Sequence, residues 1–248
     1  MNNNLHPRLR TADKTQPLYR LNHFPETFPY ALGRELIYLL ATRGESARLE
    51  GADWEEIFAR CIGAQWAPSN VGLDDITHQG MARGAKTVKN KKPFAAKSVR
   101  LVSGRNSTIY SFGDDDIRTQ NPEELGEKIL SIWNQHVADV RKKFPTLRTV
   151  VLLKGDGLAE VSVFETETIF YQKENYIWQW NDNDNLEGLL NENNRHVFTW
   201  QPHGSQFTII EEVPTERLKL RIRKPEALNQ EQVLNTLKVD DSWIEIVR

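Results

Sequence analysis

Apolar residues recur along this chain first with helical spacing and then with the shorter period of strands. In residues 31–43, ALGRELIYLLATR, positions Leu32, Leu36, Ile37, Leu39 and Leu40 make the broad stripe of a buried helix. A second helix is expected in ADWEEIFARCIG. There Asp53 and Glu56 have the spacing of a capping box, and Ile57, Phe58, Cys61 and Ile62 keep the helical register. VGLDDI, GAKTVK and KSVRLVS then read as three short strands separated by Gly, Asn and Pro. A long helix follows, with Asn121 as its cap, Pro122 at its first position and Glu124 completing the box. Leu125, Ile129, Ile132, Trp133, His136, Val137, Val140 and Phe144 form its stripe before Pro145. RTVVLLK reads as a strand buried on both faces.

Beyond residue 155 the pattern is mainly β and rich in aromatics. Alternation in EVSVFETETIF puts Val161, Val163, Glu165, Glu167 and Ile169 on one face, with the two glutamates read as solvent-facing. HVFTWQPHGSQFTII predicts two strands turning at Pro202, His203, Gly204 and Ser205. The tail from Pro225 is expected to add a helix and a last strand, WIEIV. No internal repeat or Gly/Ser linker divides the chain, so the expectation is an α/β protein with residues 1–15 loose and 16–248 as a single domain.

Composition narrows the classes. With 39% hydrophobic residues and seven tryptophans the chain can build a packed core. The single cysteine, Cys61, excludes an internal disulfide framework and a cysteine-rich zinc site. His196 and His203 lack the further ligands that zinc needs. The N-terminus lacks the apolar core of a signal peptide, and no apolar run approaches the roughly 20 residues of a membrane helix. A soluble cytoplasmic protein with no membrane partner is the expectation. Phosphate-loop, GxGxxG, HExxH and GxSxG motifs are all missing.

Charge changes the picture more. The formal net charge is only −2, yet from Arg83 to Arg105 there are eight cations and no acid. Arg83, Lys91, Lys92, Lys97, Arg100 and Arg105 of this stripe suit a phosphate backbone. Asn106 and Ser107, next to Arg105, can bond phosphates or bases, and Gln201, His203 and Gln206 on the proposed hairpin are candidates for reading base edges in double-stranded DNA.

Just ahead of the stripe, GLDDITHQGMARGAKTVK sets Asp74 and Asp75 before Lys86 and Lys89. A magnesium-dependent nuclease needs carboxylates for the hard cation and an ammonium near the attacking water or the phosphate. Asp75, or Asp74, is the candidate ligand. Lys86 and Lys89 point to opposite faces of a strand, so only one can join it, and Lys86, preceded by small residues, is preferred.

Helix, three strands, helix, strand over residues 53–154, with an aspartate in one early strand and a lysine in the next, resembles the PD-(D/E)XK nuclease core of restriction endonucleases. The resemblance implies a restriction-endonuclease-like mixed sheet flanked by helices, with residues 155–248 as a β-rich recognition extension. It further implies Mg2+, a homodimer that cuts both strands, and sequence-specific cleavage of the type II restriction kind. The chain departs from the pattern in one place. The family has an acid two residues before the lysine, and here Gly84 precedes Lys86 and Thr87 precedes Lys89. Glu56, or the pair Glu165 and Glu167, are the candidates to supply it. A variant arrangement would use Asp156 with the same pair. The alternative to an enzyme is a non-catalytic nucleic-acid-binding module or a subunit of a DNA-defence complex.

Overall fold

The computed structural model describes residues 19–44, 47–67, 72–114 and 116–247. The expectation for residues 1–15 lies outside these. Helix α1 (Phe28–Arg43) buries Phe28, Leu32, Leu36, Leu39 and Leu40, the stripe read from the sequence. Helix α2 (Gly51–Ile62) starts two residues earlier than its predicted cap. Asp53 is its third residue, and its carboxylate accepts from the backbone N–H of Glu50 (2.8 Å) and from the Arg43 guanidinium. Glu56 has no part in the cap and pairs with Arg60 instead (2.5 Å).

Strands β1 (Gln65–Trp66), β2 (Ile76–His78), β3 (Met81–Lys89) and β4 (Ser98–Arg105) follow, then a short helix α3 (Thr108–Phe112) and the long α4 (Pro122–Arg141). Asn121 caps α4 by accepting from the Glu123 N–H. The rest is β5 (Thr146–Lys154), β6 (Glu160–Glu167), β7 (Tyr176–Trp180), β8 (Leu186–Leu190), β9 (His196–Gln201), β10 (Gln206–Glu212), β11 (Leu218–Arg221) and the helix α5 (Gln230–Leu237).

Two sheets organise these strands. One is mixed, in the order β1-β2-β3-β5-β6-β11, with β3 and β5 parallel across the α4 crossover; the other is antiparallel, β4-β10-β9-β8-β7. The protein is therefore mixed α/β. Strand β4 does not stay with β2 and β3 as the resemblance to a nuclease core implies. It pairs with β10, and Val99 and Leu101 pack from it onto Val151, Leu153 and Phe164 of the first sheet. Helix α4 fills the remaining space between the sheets, with Leu125, Ile129, Trp133 and Val137 against Ala82 and Leu147 on one side and Phe198, Trp200 and Phe207 on the other. Helices α1 and α2 cover the opposite face of the mixed sheet at Ala85, Val150, Leu152 and Val163.

Contact between α4 and the antiparallel sheet depends on Gly126, where a Cβ would fall 2.2 Å from the Trp178 ring. Alanine ordinarily gains about 1 kcal/mol over glycine within a helix. Here the overlap with a buried indole outweighs that gain, so Gly126→Ala is expected to lower stability by about 1–3 kcal/mol. Urea unfolding followed by tryptophan fluorescence reads the shift.

The C-terminal strand is not formed. Residues 244–247 carry no strand pairing, and Trp243, Ile244, Ile246 and Val247 are exposed. No described helix is long and apolar enough to cross a membrane.

Candidate active site

The acid missing before Lys86 has a steric cause. A Cβ on Gly84 would lie 2.5 Å from the Gly72 carbonyl oxygen and 3.3 Å from the Leu73 Cα, so the chain ahead of β2 crosses directly over this position. Gly72 turns there with φ +67°, a conformation that favours glycine. The crossing delivers Asp75. Beside Gly72, the Lys86 Nζ and an Asp75 carboxylate oxygen lie 3.4 and 3.7 Å from where its Cβ would stand.

Asp75 is 3% exposed and sits one residue ahead of β2, in a bend rather than in a strand. Asp74 beside it is half-buried. The second carboxylate near Asp75 and Lys86 is Glu55, from the first half of α2. Its side chain accepts from the indole N–H of Trp66 in β1 (3.1 Å). Burial raises the Glu55 pKa above the ordinary carboxylate range and the nearby Asp75 charge adds to this, while Trp66 and Lys86 oppose it. Burial likewise lowers the Lys86 ammonium from the usual lysine range, and Asp75 and Glu55 pull it back up. Two carboxylates and one ammonium thus act on each other from α2, the β2 approach and β3.

The sequence reading selects Glu56, its neighbour, and misses Glu55. Helical phase held the signal: Glu55 lies three residues before Phe58 and seven before Ile62, both buried, whereas Glu56 is on the solvent side with Arg60. Removing the Glu55 charge takes away one of the two groups that hold the Lys86 proton. In Glu55→Gln, Lys86 is expected to titrate at a still lower pH. The 13Cε chemical shift of Lys86 against pH tests this, and an unchanged midpoint would separate the two groups.

Lys86 also lines a cleft of about 650 Å³ between the two sheets. Arg105 at the end of β4, and His203 and Gln206 at the β9–β10 turn, line it as well, so three of the proposed DNA contacts share one concave surface with the lysine. His136 of α4 joins them. Its spacing puts it in the apolar stripe, but it faces the cleft half-buried, and burial lowers its pKa from the usual histidine range.

Other predicted residues take structural places. Arg83 is fully buried, donating to Glu165 (2.8 Å) and lying 5.4 Å from the centre of the Tyr19 ring, so it is not on a surface that DNA could reach. Glu165 is likewise buried, not solvent-facing, and also binds Arg148 (2.9 Å) and the Tyr19 hydroxyl (2.9 Å). Glu167 pairs with Arg148 (3.1 Å). The structure does not bring these glutamates to Asp75. Register explains this: Arg83, Arg148 and Glu167 are neighbours across β3, β5 and β6, on the face opposite Lys86.

Asn106 is buried; its side-chain amide donates to the Ile129 carbonyl and its backbone carbonyl accepts from the Trp200 indole N–H, so it pins α4 to the second sheet. Ser107 caps α3 by accepting from the Tyr110 N–H. Lys89 points away from Lys86 and forms an exposed pair with Asp156 (3.1 Å), whereas Glu165, the partner of Asp156 in the variant arrangement, is buried between Arg83 and Arg148. Arg100 is exposed and donates to Thr199 (2.8 Å); Lys91, Lys92 and Lys97 are exposed, and Gln201 is half-buried at the end of β9. Comparison of the chain with family models, curated proteins and solved structures finds no match.

Proposed function

We propose that this protein is a magnesium-dependent endonuclease of the restriction type, which hydrolyses phosphodiesters of double-stranded DNA in the cytoplasm on a PD-(D/E)XK-like core. The observation that carries the reading is the approach of Asp75 to Lys86 at the Gly72 turn, with the Glu55 charge acting on both, beside a cleft lined by Arg105, His203 and Gln206. The chain order α2, β1, β2, β3, β4, α3, α4, β5, with all of these strands except β4 in one mixed sheet, supports it in part.

The residues present suit a hard cation. Asp75 and Glu55 repel each other in a partly desolvated position, and a divalent ion between them would relieve that repulsion. Among the described residues no three or more His, Cys, Asp or Glu side chains cluster to hold a metal. An ion held by two carboxylates keeps several waters, which is the habit of magnesium. When bound, it supplies Lewis-acid polarisation of the scissile phosphate.

The chain's own groups do the rest. Lys86 lies where it can offset charge on the phosphoryl oxygens and orient the attacking water. Arg105 grips a flanking phosphate, and His203 and Gln206 reach toward base edges to give sequence preference. Cutting both strands of a symmetric site would take a homodimer.

Long unmethylated duplex DNAs incubated with magnesium or with EDTA test the reading. Discrete bands that require magnesium are the expected result. Salt-sensitive binding without cleavage would favour a non-catalytic DNA-binding module or defence-complex subunit, a reading that draws on the impossibility of any acid at Gly84.

A further inference from the structure

The strongest charge outside the cleft lies on an edge of the mixed sheet. Residues 217–224, RLKLRIRK, hold five cations and no acid. As β11 and its continuation they alternate: Leu218, Leu220 and Ile222 pack on the same core as α1, and Lys219, Arg221 and Arg223 are exposed.

Two of the five cations fasten the strand to its surroundings. Arg217 donates to the carbonyls of Phe94 (2.7 Å) and Ala96 (3.2 Å), and Arg221 donates to Glu160 (3.1 Å) and lies 5.6 Å from the centre of the Phe94 ring. These contacts set β11 against the 90–97 turn, which carries Lys91, Lys92 and Lys97. Lys219, Arg223 and Lys224, like the three lysines of the turn, are exposed and form no ion pair with a described residue. The two basic segments, distant in sequence, make one surface.

Strand β4 joins this surface to the cleft. It ends at Arg105, and Lys97 directly precedes its first residue, so the two cations lie roughly 27 Å apart at about 3.4 Å per residue, or about eight base pairs of duplex. We infer that the 90–97 turn and the outward face of β11 form a second contact for the phosphate backbone of duplex DNA, reached only when the duplex extends well past the cleft. The inference rests on the reading of the cleft as a duplex-binding site. Cations on an edge strand also deter edge-to-edge pairing, but that role alone predicts no dependence on DNA length.

The test combines Lys219→Gln, Arg223→Gln and Lys224→Gln in the full-length protein, leaving the anchoring Arg217 and Arg221 in place. Binding in EDTA to a hairpin duplex of about 6 base pairs, shorter than that separation, and to a duplex of about 36 base pairs is followed by fluorescence anisotropy across a salt series. On the long duplex the slope of log affinity against log salt is expected to fall by about 2–3, with affinity at low salt roughly tenfold weaker or more. The short duplex is expected to bind both proteins alike. Equal binding of both proteins to the long duplex, or equal weakening on both lengths, overturns the second contact while the cleft reading stands. Should the unaltered protein bind neither duplex in a salt-dependent way, the cleft reading fails and this inference falls with it.

Discussion

Replacing Asp75 with asparagine is expected to reduce magnesium-dependent cleavage of duplex DNA by about a thousandfold or more, which is about 4 kcal/mol of transition-state stabilisation. Binding to the same DNA in EDTA should change little. Asparagine keeps the size and one acceptor oxygen of the side chain in its buried position, and replaces the other oxygen with an amide NH2, which removes the charge that a magnesium ion would need. Glu55→Gln should follow the same pattern, because the ion would then keep one carboxylate of two. Glu56→Gln, one residue along, serves as the control: its partner is Arg60 on the solvent face of α2, and cleavage should be unaffected. Cleavage at the original rate in Asp75→Asn would remove this aspartate from the chemistry, and equal losses in Glu55→Gln and Glu56→Gln would point to damage to α2.

What could be read in the sequence, and what could not, follows the range of the interactions involved. Helices α1 and α4 were legible because stripe, cap and stop signals lie within a few residues of one another. Asp75 and Lys86 were legible as a pair because the β2–β3 hairpin brings them together locally, Ile76 facing Arg83 in its register. The partner of β4 was not, since β10 begins about a hundred residues later and only packing against Phe164 and its neighbours decides which sheet β4 joins. Gly84 read as a missing acid, and its reason, the Gly72 carbonyl lying across it, is a contact between chain segments that no periodicity encodes. The basic stripe misled in one place: period-two alternation turns Arg83 to the opposite face from Lys86, where Arg148 and Glu165 await it. The basic strand β11 was visible in the residues alone, but its junction with the 90–97 turn was not.

Glu165→Gln is expected to cost about 3–5 kcal/mol, a large part of the total stability of a typical domain. The glutamate is 1% exposed between Arg83, at 0%, and Arg148, at 3%. Without its charge two guanidinium groups remain buried, and only Arg148 keeps another carboxylate, Glu167. Arg83 also has two guanidinium nitrogens with no hydrogen-bond partner among the described residues; the Tyr19 and Phe58 rings at 5.4 and 6.0 Å are its other support. Leaving a buried charge uncompensated is far costlier than losing an exposed pair, so Glu167→Gln, at a half-exposed carboxylate, should cost only about 0–1 kcal/mol. Denaturant unfolding of the two variants separates these values. It also separates two roles for Glu165. A metal ligand would lose cleavage at nearly unchanged stability, whereas a structural glutamate would lose stability and, at temperatures where the variant stays folded, retain its magnesium requirement. The two buried arginines around it favour the second outcome, because together they already neutralise the charge that a metal ion would use.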